Sequence, residues 1–135
     1  MLTVNFRTLP LEEGDRVLDA GCGEGRHTFA CFRHDCDVLG MDLSHQSLLK
    51  AKYVLGQMKK RNEARGRFLL LRGDALRFPF GDGSFDKIIC AEVIEHVDDD
   101  RQGVAELARI LSNGGKIAIT VPTRMTEHLY DFLSA

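Results

Sequence analysis

The sequence predicts a doubly wound α/β domain, a parallel sheet with helices on both faces. Three observations lead there. Short β-prone runs alternate with stretches whose apolar residues recur at helical spacing. The β-prone runs are almost unbroken in apolar character, as in strands buried on both faces. The first confident run, Val17–Ala20, breaks at once into Gly21-Cys22-Gly23-Glu24-Gly25, and a helical pattern follows. Glycines let the backbone approach a ligand, and the following helix points free N–H groups at it. That is the layout of a nucleotide-type cofactor site at the carboxyl end of a first strand.

The elements follow in order. Phe29 and Phe32 mark the core face of a helix from about Glu24 to Arg33, and Val38–Met41 is a second strand ending at Asp42. Ser44 is a good N-cap, with Leu48, Ala51, Leu55 and Met58 at helical spacing behind it. Phe68–Leu71 reads as a buried third strand ending at Gly73-Asp74. Pro79 and Gly81-Asp82-Gly83 then break the chain before a fourth strand, Phe85–Cys90. Asp98-Asp99-Asp100 place negative charge at a helix start, where the macrodipole favours it. Val104, Leu107, Ala108 and Leu111 form that helix's buried stripe, and Asn113-Gly114-Gly115 stop it. Lys116–Val121 is a fifth strand closed by Pro122. Leu2, Val4 and Phe6 alternate with polar residues and are expected to form an extra strand, within or between chains.

Right-handed crossovers bring the loops after successive parallel strands to one edge of the sheet. Gly21–Gly25, Asp42, Asp74 and Cys90–Glu92 are therefore expected to converge. Four motifs at four successive strand ends are far more specific than any one alone.

Composition bounds the partners. The chain has 135 residues, 44% hydrophobic and 28% charged, and residues 1–135 are expected to form a single domain. Net charge is −2, and the dense basic cluster Lys59-Lys60-Arg61 reads as a solvated helix end, so nucleic acid is not favoured. No apolar run approaches 18 residues, and Met1–Phe6 lacks the pattern of a secretory signal. No membrane span is expected, and the cytoplasm is the expected compartment. Cys22, Cys31, Cys36 and Cys90 show no CxxC spacing. With His27 and His34 they suggest a zinc cluster only weakly; reduced, buried thiols and no metal are expected.

The glycine turn alone leaves two cofactor classes open. Dinucleotide dehydrogenases use GxGxxG, whereas Gly21, Gly23 and Gly25 give GxGxG with Arg26 where the third glycine would fall. With Asp19 before the turn, the chain resembles the class I S-adenosylmethionine-dependent methyltransferases, in the ubiquinone-biosynthesis-like (type 11) group. The resemblance covers Val17–Gly25, Gly40-Met41-Asp42-Leu43-Ser44, Gly73-Asp74-Ala75, Phe78-Pro79-Phe80 and Ser84-Phe85-Asp86. It continues through Glu92-Val93-Ile94-Glu95-His96-Val97 and Leu111-Ser112-Asn113-Gly114-Gly115.

That resemblance implies a Rossmann-like, three-layer α/β/α sheet of order 3-2-1-4-5 and transfer of a methyl group from S-adenosylmethionine to a small-molecule acceptor. It implies roles as well. Gly21, Cys22 and Gly23 would pass under the methionine and ribose, and Asp19 would orient the methionyl amine. Asp42 would accept from both ribose hydroxyls, which an acceptor-only carboxylate does well. Leu43 would pack on the adenine, with Asp74 and the Ala75 amide on its polar edge. Cys90 would offer its carbonyl near the methionyl amine, and His96 would cover the cofactor beside Val93. A general base, where the acceptor needs one, falls to His96 or Glu92, but no motif fixes it; the catalytic residues stay unassigned.

The family usually continues past the fifth strand with a helix and an antiparallel hairpin. Here Thr123–Ala135 follows Pro122, with Leu129, Phe132 and Leu133 hinting at one amphipathic helix. A form lacking the C-terminal hairpin is expected, with an open sheet edge and a homodimer through it. Two other readings stay open: a non-catalytic S-adenosylmethionine-binding module, and a nicotinamide dehydrogenase. Gly73-Asp74-Ala75 and the GxGxG spacing argue against the latter.

Overall fold

Five parallel strands hydrogen-bond in the order β3-β2-β1-β4-β5. The computed structural model describes residues 4–74, 78–91 and 100–120. In chain order the elements are β1 (Arg16–Ala20), α1 (Arg26–Arg33), β2 (Asp37–Asp42), α2 (His45–Lys60), β3 (Phe68–Arg72), β4 (Phe85–Ala91), α3 (Asp100–Ile110) and β5 (Leu111–Thr120).

The strand order dictates the layering. From β1 the chain steps outward through α1 to β2 and through α2 to β3. From β4 it steps the opposite way through α3 to β5. With right-handed crossovers, opposite steps put the helices on opposite faces. Accordingly Cys31 and Phe32 of α1 and Leu55 and Met58 of α2 pack with Val17, Val38 and Ile89 on one face. Val104, Leu107 and Ile110 of α3 pack with Leu18, Ala20, Ile88 and Cys90 on the other. The order reverses between β1 and β4, which is where such sheets open a crevice at their carboxyl ends.

Most local expectations hold. Leu48, Ala51, Leu55 and Met58 are the buried stripe of α2, and the Ser44 hydroxyl accepts from the Ser47 amide at 3.2 Å. The first helix begins at Arg26 rather than Glu24. Gly25 precedes it with φ +100°, a left-handed conformation no helix interior can hold.

Three stretches depart from expectation. In the first, Ala108 is exposed, and the α3 stripe runs through Val104, Leu107 and Ile110. The helix ends at Ile110, so Leu111 opens β5 instead of closing the stripe. Asn113-Gly114-Gly115 form an irregularity inside β5: Leu111 pairs with Phe85, but the next pair is Lys116 with Lys87. Gly115 there lies so close that a Cβ would meet the Asp86 carbonyl oxygen at 2.8 Å. Second, β3 is an edge strand rather than a buried one, with Leu69 59% exposed. Third, Val4 and Phe6 lie in no strand. The amides of Thr8 and Leu9 both donate to the Asn5 carbonyl at 3.1 Å, making a turn. That turn tucks Val4 and Leu9 into the core beneath α1, where the Val4 amide donates to His27 Nε2 at 3.3 Å. Leu2, Leu129, Phe132 and Leu133 lie outside the described residues.

Charged clamps close the sheet end opposite the crevice. Arg16 meets the Asp86 carboxylate through its main-chain N–H and its guanidinium, at 2.8–3.2 Å, and Ser112 adds a hydroxyl at 3.3 Å. One carboxylate thus ties β1, β4 and β5, and the Arg16 bond holds Asp86 down at about 2. Lys87 and Asp15 pair at 2.9 Å with both side chains nearly buried.

Candidate functional site

Three strand-end loops are stitched together at the carboxyl edge. The amides of Gly21 and Cys22 both donate to the Met41 carbonyl, at 2.8 and 2.9 Å. Asp42 Oδ2 accepts from the Gly23 amide at 2.9 Å, and Oδ1 accepts from the Ser44 amide at 2.8 Å. The Gly73 amide donates to the Asp42 carbonyl at 3.1 Å, and Arg72 Nε donates to the Leu43 carbonyl at 3.1 Å. The turn after β1, the start of α2 and the end of β3 thus meet on the two residues Asp42 and Leu43.

The glycine turn is shaped for a close neighbour. Gly21, Gly23 and Gly25 have φ of +70°, +56° and +100°. A Cβ on Gly23 would meet nothing within 4 Å, so this backbone faces open space. A Cβ on Gly25 would press on the Phe29 ring at 2.8 Å and on the Ala51 Cβ at 3.1 Å. Gly23 therefore leaves room on the outside, and Gly25 lets α1 and α2 close on the inside. No side chain caps α1, whose first turn starts just past the glycines. Amides left over at such an end favour acceptor groups on a ligand.

The carboxylate of Asp42 has capacity left. Two oxygens offer about four lone-pair sites, and the Gly23 and Ser44 amides use two. The side chain is half-buried at the crevice, beside Leu43, which is 61% exposed despite being apolar. A carboxylate with two acceptor sites left, next to an exposed leucine, can take a vicinal diol and the flat ring attached to it.

Asp19 is placed differently. Its side chain is 1% exposed and lies under α1, where it accepts from the Thr28 hydroxyl at 2.7 Å and from the Thr28 amide. Burial raises it to about 7; the Thr28 bonds and Arg26 pull the other way, and Asp42 adds slightly to the rise. Cys22 is buried at the turn, and burial pushes its thiol up to about 12, so it stays protonated and inert. Cys90 is fully buried in β4 beside Ala20 of β1, and Asp74 is exposed past the end of β3. Ala75, His96 and the carboxylates Glu92 and Glu95 lie outside the described residues. Among the described residues, no group of three or more His, Cys, Asp or Glu is arranged to hold a metal. No helix among them is long and apolar enough to cross a membrane.

Two residues carry little or no legible signal in the sequence. Thr28 is one, because its partner Asp19 becomes its neighbour only once α1 folds back over β1. The other, Arg109, binds the Glu106 carboxylate, the Phe78 and Phe80 carbonyls and Asp82. The Arg109 carbonyl accepts from the Gly83 amide at 3.0 Å, so one residue fixes the described part of the β3–β4 connection on α3. Its only hint in sequence is Glu106, three residues before it on the same helix.

Known proteins resemble this chain in sequence and in fold. The family described as "Methyltransferase domain" matches residues 18–119. The O-methyltransferase cnsE of Penicillium expansum is 32% identical over 117 residues, covering 86% of this chain and 41% of that protein. A demethylmenaquinone methyltransferase of a Parafrankia species is 34% identical over 127 residues, covering 87% of this chain and 50% of its own length. The solved S-adenosylmethionine-dependent methyltransferase of Mesorhizobium loti superposes with a TM-score of 0.72 at 25% identity, over 85% of this chain and 50% of that one. The chain thus spans half or less of the length of these relatives.

Proposed function

The chain belongs to the class I S-adenosylmethionine-dependent methyltransferases, and we propose that it binds S-adenosylmethionine in the crevice after β1 and β2 and passes its methyl group to a small molecule. The observation that carries the reading is the Asp42 carboxylate, bound to the Gly23 and Ser44 amides with two acceptor sites left over. In it Asp42 takes both ribose hydroxyls, Leu43 lies on the adenine, and Gly21, Cys22 and Gly23 run under the ribose and methionine. Asp74 and Ala75 meet the polar edge of the adenine. Asp19, Cys90 and His96 serve the methionyl end. Residues 1–135 act as one domain, and the cytoplasm is its compartment.

The bound sulfonium supplies the reactivity, and the protein supplies alignment and exclusion of water. Ideal positioning in such a displacement contributes up to about 7–11 kcal/mol. A rigid turn suits that role, because three loops cross-linked by main-chain bonds hold the cofactor without side-chain rearrangement. The small-molecule acceptor accords with the names of the two relatives, one an O-methyltransferase and one acting on demethylmenaquinone. A homodimer through the β5 edge is part of this reading; an open groove of about 570 Å³ runs between β5 and the N-terminal turn. Light scattering that finds monomer at all concentrations removes the dimer.

Calorimetric titration of S-adenosylhomocysteine into the wild-type chain and Asp42→Ala tests the cofactor site. Micromolar binding that the variant loses supports it, and no binding to a folded wild-type chain overturns it. Transfer of labelled methyl to any acceptor decides between an enzyme and a binding module.

A further inference from the structure

Neither the fold nor the crevice accounts for the face of α2 that looks away from the sheet. At about 100° per residue, Leu48, Ala51, Leu55 and Met58 turn inward, and Leu49, Tyr53, Gly56 and Lys60 fall along the opposite line. Leu49 is 52% exposed and Tyr53, one helical turn on, is 69% exposed. Single exposed apolar residues are ordinary on a protein surface. Two large ones in succession on the outermost line of a helix make a small apolar ridge, with the part-exposed Val54 on its shoulder.

Charge of one sign surrounds that ridge. The 16 residues of α2 hold four lysines and no aspartate or glutamate, and Arg61 follows at the C-cap. Lys52 and Lys59 flank the ridge on one side and Lys50 on the other, while Lys60 lies in line with it. Lys50 pairs with Glu24 at 2.9 Å in the open, where such a pair is worth little. Lys52, Lys59, Lys60 and Arg61 are exposed and meet no carboxylate among the described residues. The whole chain carries −2, so this face reverses the sign of the molecule locally.

A helix face is convex and gives a small molecule nothing to enter. A nucleic acid would use the lysines and have no use for Leu49. An anionic lipid surface uses both. The apolar ridge sinks to the headgroup boundary, a depth that suits a tyrosine ring, and the lysines reach anionic headgroups while their stems lie on apolar surface. We propose that α2 is a docking face for an anionic lipid surface, with Leu49 and Tyr53 entering the headgroup layer and Lys52, Lys59, Lys60 and Arg61 meeting its charge. Leu48, Ala51, Leu55 and Met58 stay packed on the sheet, so docking needs no rearrangement and no helix that crosses the bilayer. Each cation near such a surface gains about fivefold in partition, and salt screens that gain. None of these side chains belongs to the proposed cofactor site, so the proposal does not depend on that reading.

The test is sedimentation of the whole chain with phosphatidylcholine vesicles, pure or carrying about 30% phosphatidylglycerol, at low and at raised salt. Salt-reversible binding to the anionic vesicles and little to the neutral ones is expected; no binding to the anionic vesicles overturns the proposal. Lys52→Ala with Lys59→Ala should weaken partition about 25-fold. Leu49→Ala with Tyr53→Ala should weaken it about tenfold. All four side chains are exposed, so both variants should keep the fold, which circular dichroism checks. Loss in the lysine pair with none in the Leu49 and Tyr53 pair overturns the proposal, because charge alone would then draw the chain to any polyanion, nucleic acid included. The chain has no tryptophan, so Tyr53→Trp supplies a single reporter. Its emission should shift to the blue on anionic vesicles. Unmoved emission from a chain that sediments places the contact on another face and overturns the proposal as well.

Discussion

The carboxylate of Asp42 holds the Gly23 amide at 2.9 Å and the Ser44 amide at 2.8 Å, so one side chain at the end of β2 fixes both the glycine turn and the start of α2. Asp42→Ala is expected to loosen both loops. Each bond to a charged group is worth about 1.5–3 kcal/mol when its partner is otherwise desolvated. The turn is half-exposed, so water takes over part of that, and the loss of stability should be about 1–2 kcal/mol. The loss of affinity should be larger, roughly 100-fold or more, because the two hydroxyl acceptors vanish as well. Asp42→Asn keeps one acceptor oxygen and should fall between. Chemical denaturation and calorimetry on the three proteins separate the two effects.

Asp86 is held at about 2 by Arg16, well below an unfolded aspartate near 4. A depressed carboxylate stabilises the fold above its unfolded value and loses that contribution as pH falls through the folded one. The expected loss lies between pH 4 and 2. It amounts to about 1–2 kcal/mol after allowing for solvent around the half-exposed Arg16. Asp86→Asn should remove that acid-limb dependence and lower stability at pH 7 by a similar amount. Urea unfolding at pH 7, 4 and 2.5 reads both.

Asp19 has the opposite sign. Its folded value, raised to about 7, lies above the unfolded one, so the contribution is full below pH 4 and is lost as pH rises through 7. Wild type should lose about 2–4 kcal/mol of stability from this group between pH 4 and 8. Asp19→Asn, neutral throughout, should lack that slope and unfold at higher denaturant than wild type at pH 8. A wild-type curve that is flat in this interval would show the carboxyl ionised in the fold already.

The outline of the fold and the crevice were legible because they rest on local signals. Gly21 to Gly25, the Ser44 cap and the apolar stripe of α2 each declare themselves within a few residues. The strand order is implied only by the family resemblance, because crossover handedness sets which face each helix covers and not which strands are neighbours. What was misread depends on contacts distant in sequence. Leu69 looks like a core residue until β3 proves to be the edge strand. Gly114 and Gly115 look like a helix stop, but Gly115 is required by the Asp86 carbonyl on β4. Val4 and Phe6 alternate like a strand, yet the turn at Asn5 directs Val4 inward on His27. Thr28 gives no signal for the same reason, since Asp19 lies on another element, and Arg109 shows only Glu106 on its own helix while Phe78, Phe80 and Asp82 lie elsewhere.

Arg109 spans from α3 to Phe78, Phe80 and Asp82, and no shorter or monodentate cation can copy that fork. Arg109→Lys should therefore behave much like Arg109→Met. Both are expected to lower the melting temperature and to speed protease cleavage after Phe80, whose carbonyl that fork holds down. If Lys restores protection, charge rather than geometry fixes this connection.

Gly23 and Gly25 sit two residues apart in one turn, and substitution should separate space for a ligand from space for packing. Gly25→Ala drives a methyl group into Phe29 at 2.8 Å on a backbone at φ +100°. The Phe29 ring must turn aside and the Ala51 Cβ must give by a few tenths of an ångström to admit it. The expected loss is about 2–4 kcal/mol of stability, from left-handed strain together with overpacking. Gly23→Ala meets no neighbour within 4 Å, and its φ of +56° carries only the left-handed penalty of about 1–2 kcal/mol. Its methyl group would project into the open space over which the proposed cofactor passes. Gly23→Ala should thus stay folded at 25 °C yet lose S-adenosylhomocysteine binding, while Gly25→Ala should unfold more readily and bind in proportion to the fraction folded. Thermal melts paired with calorimetry distinguish them. Unimpaired binding by a folded Gly23→Ala chain would move the cofactor off this turn, whatever the Asp42 variants show.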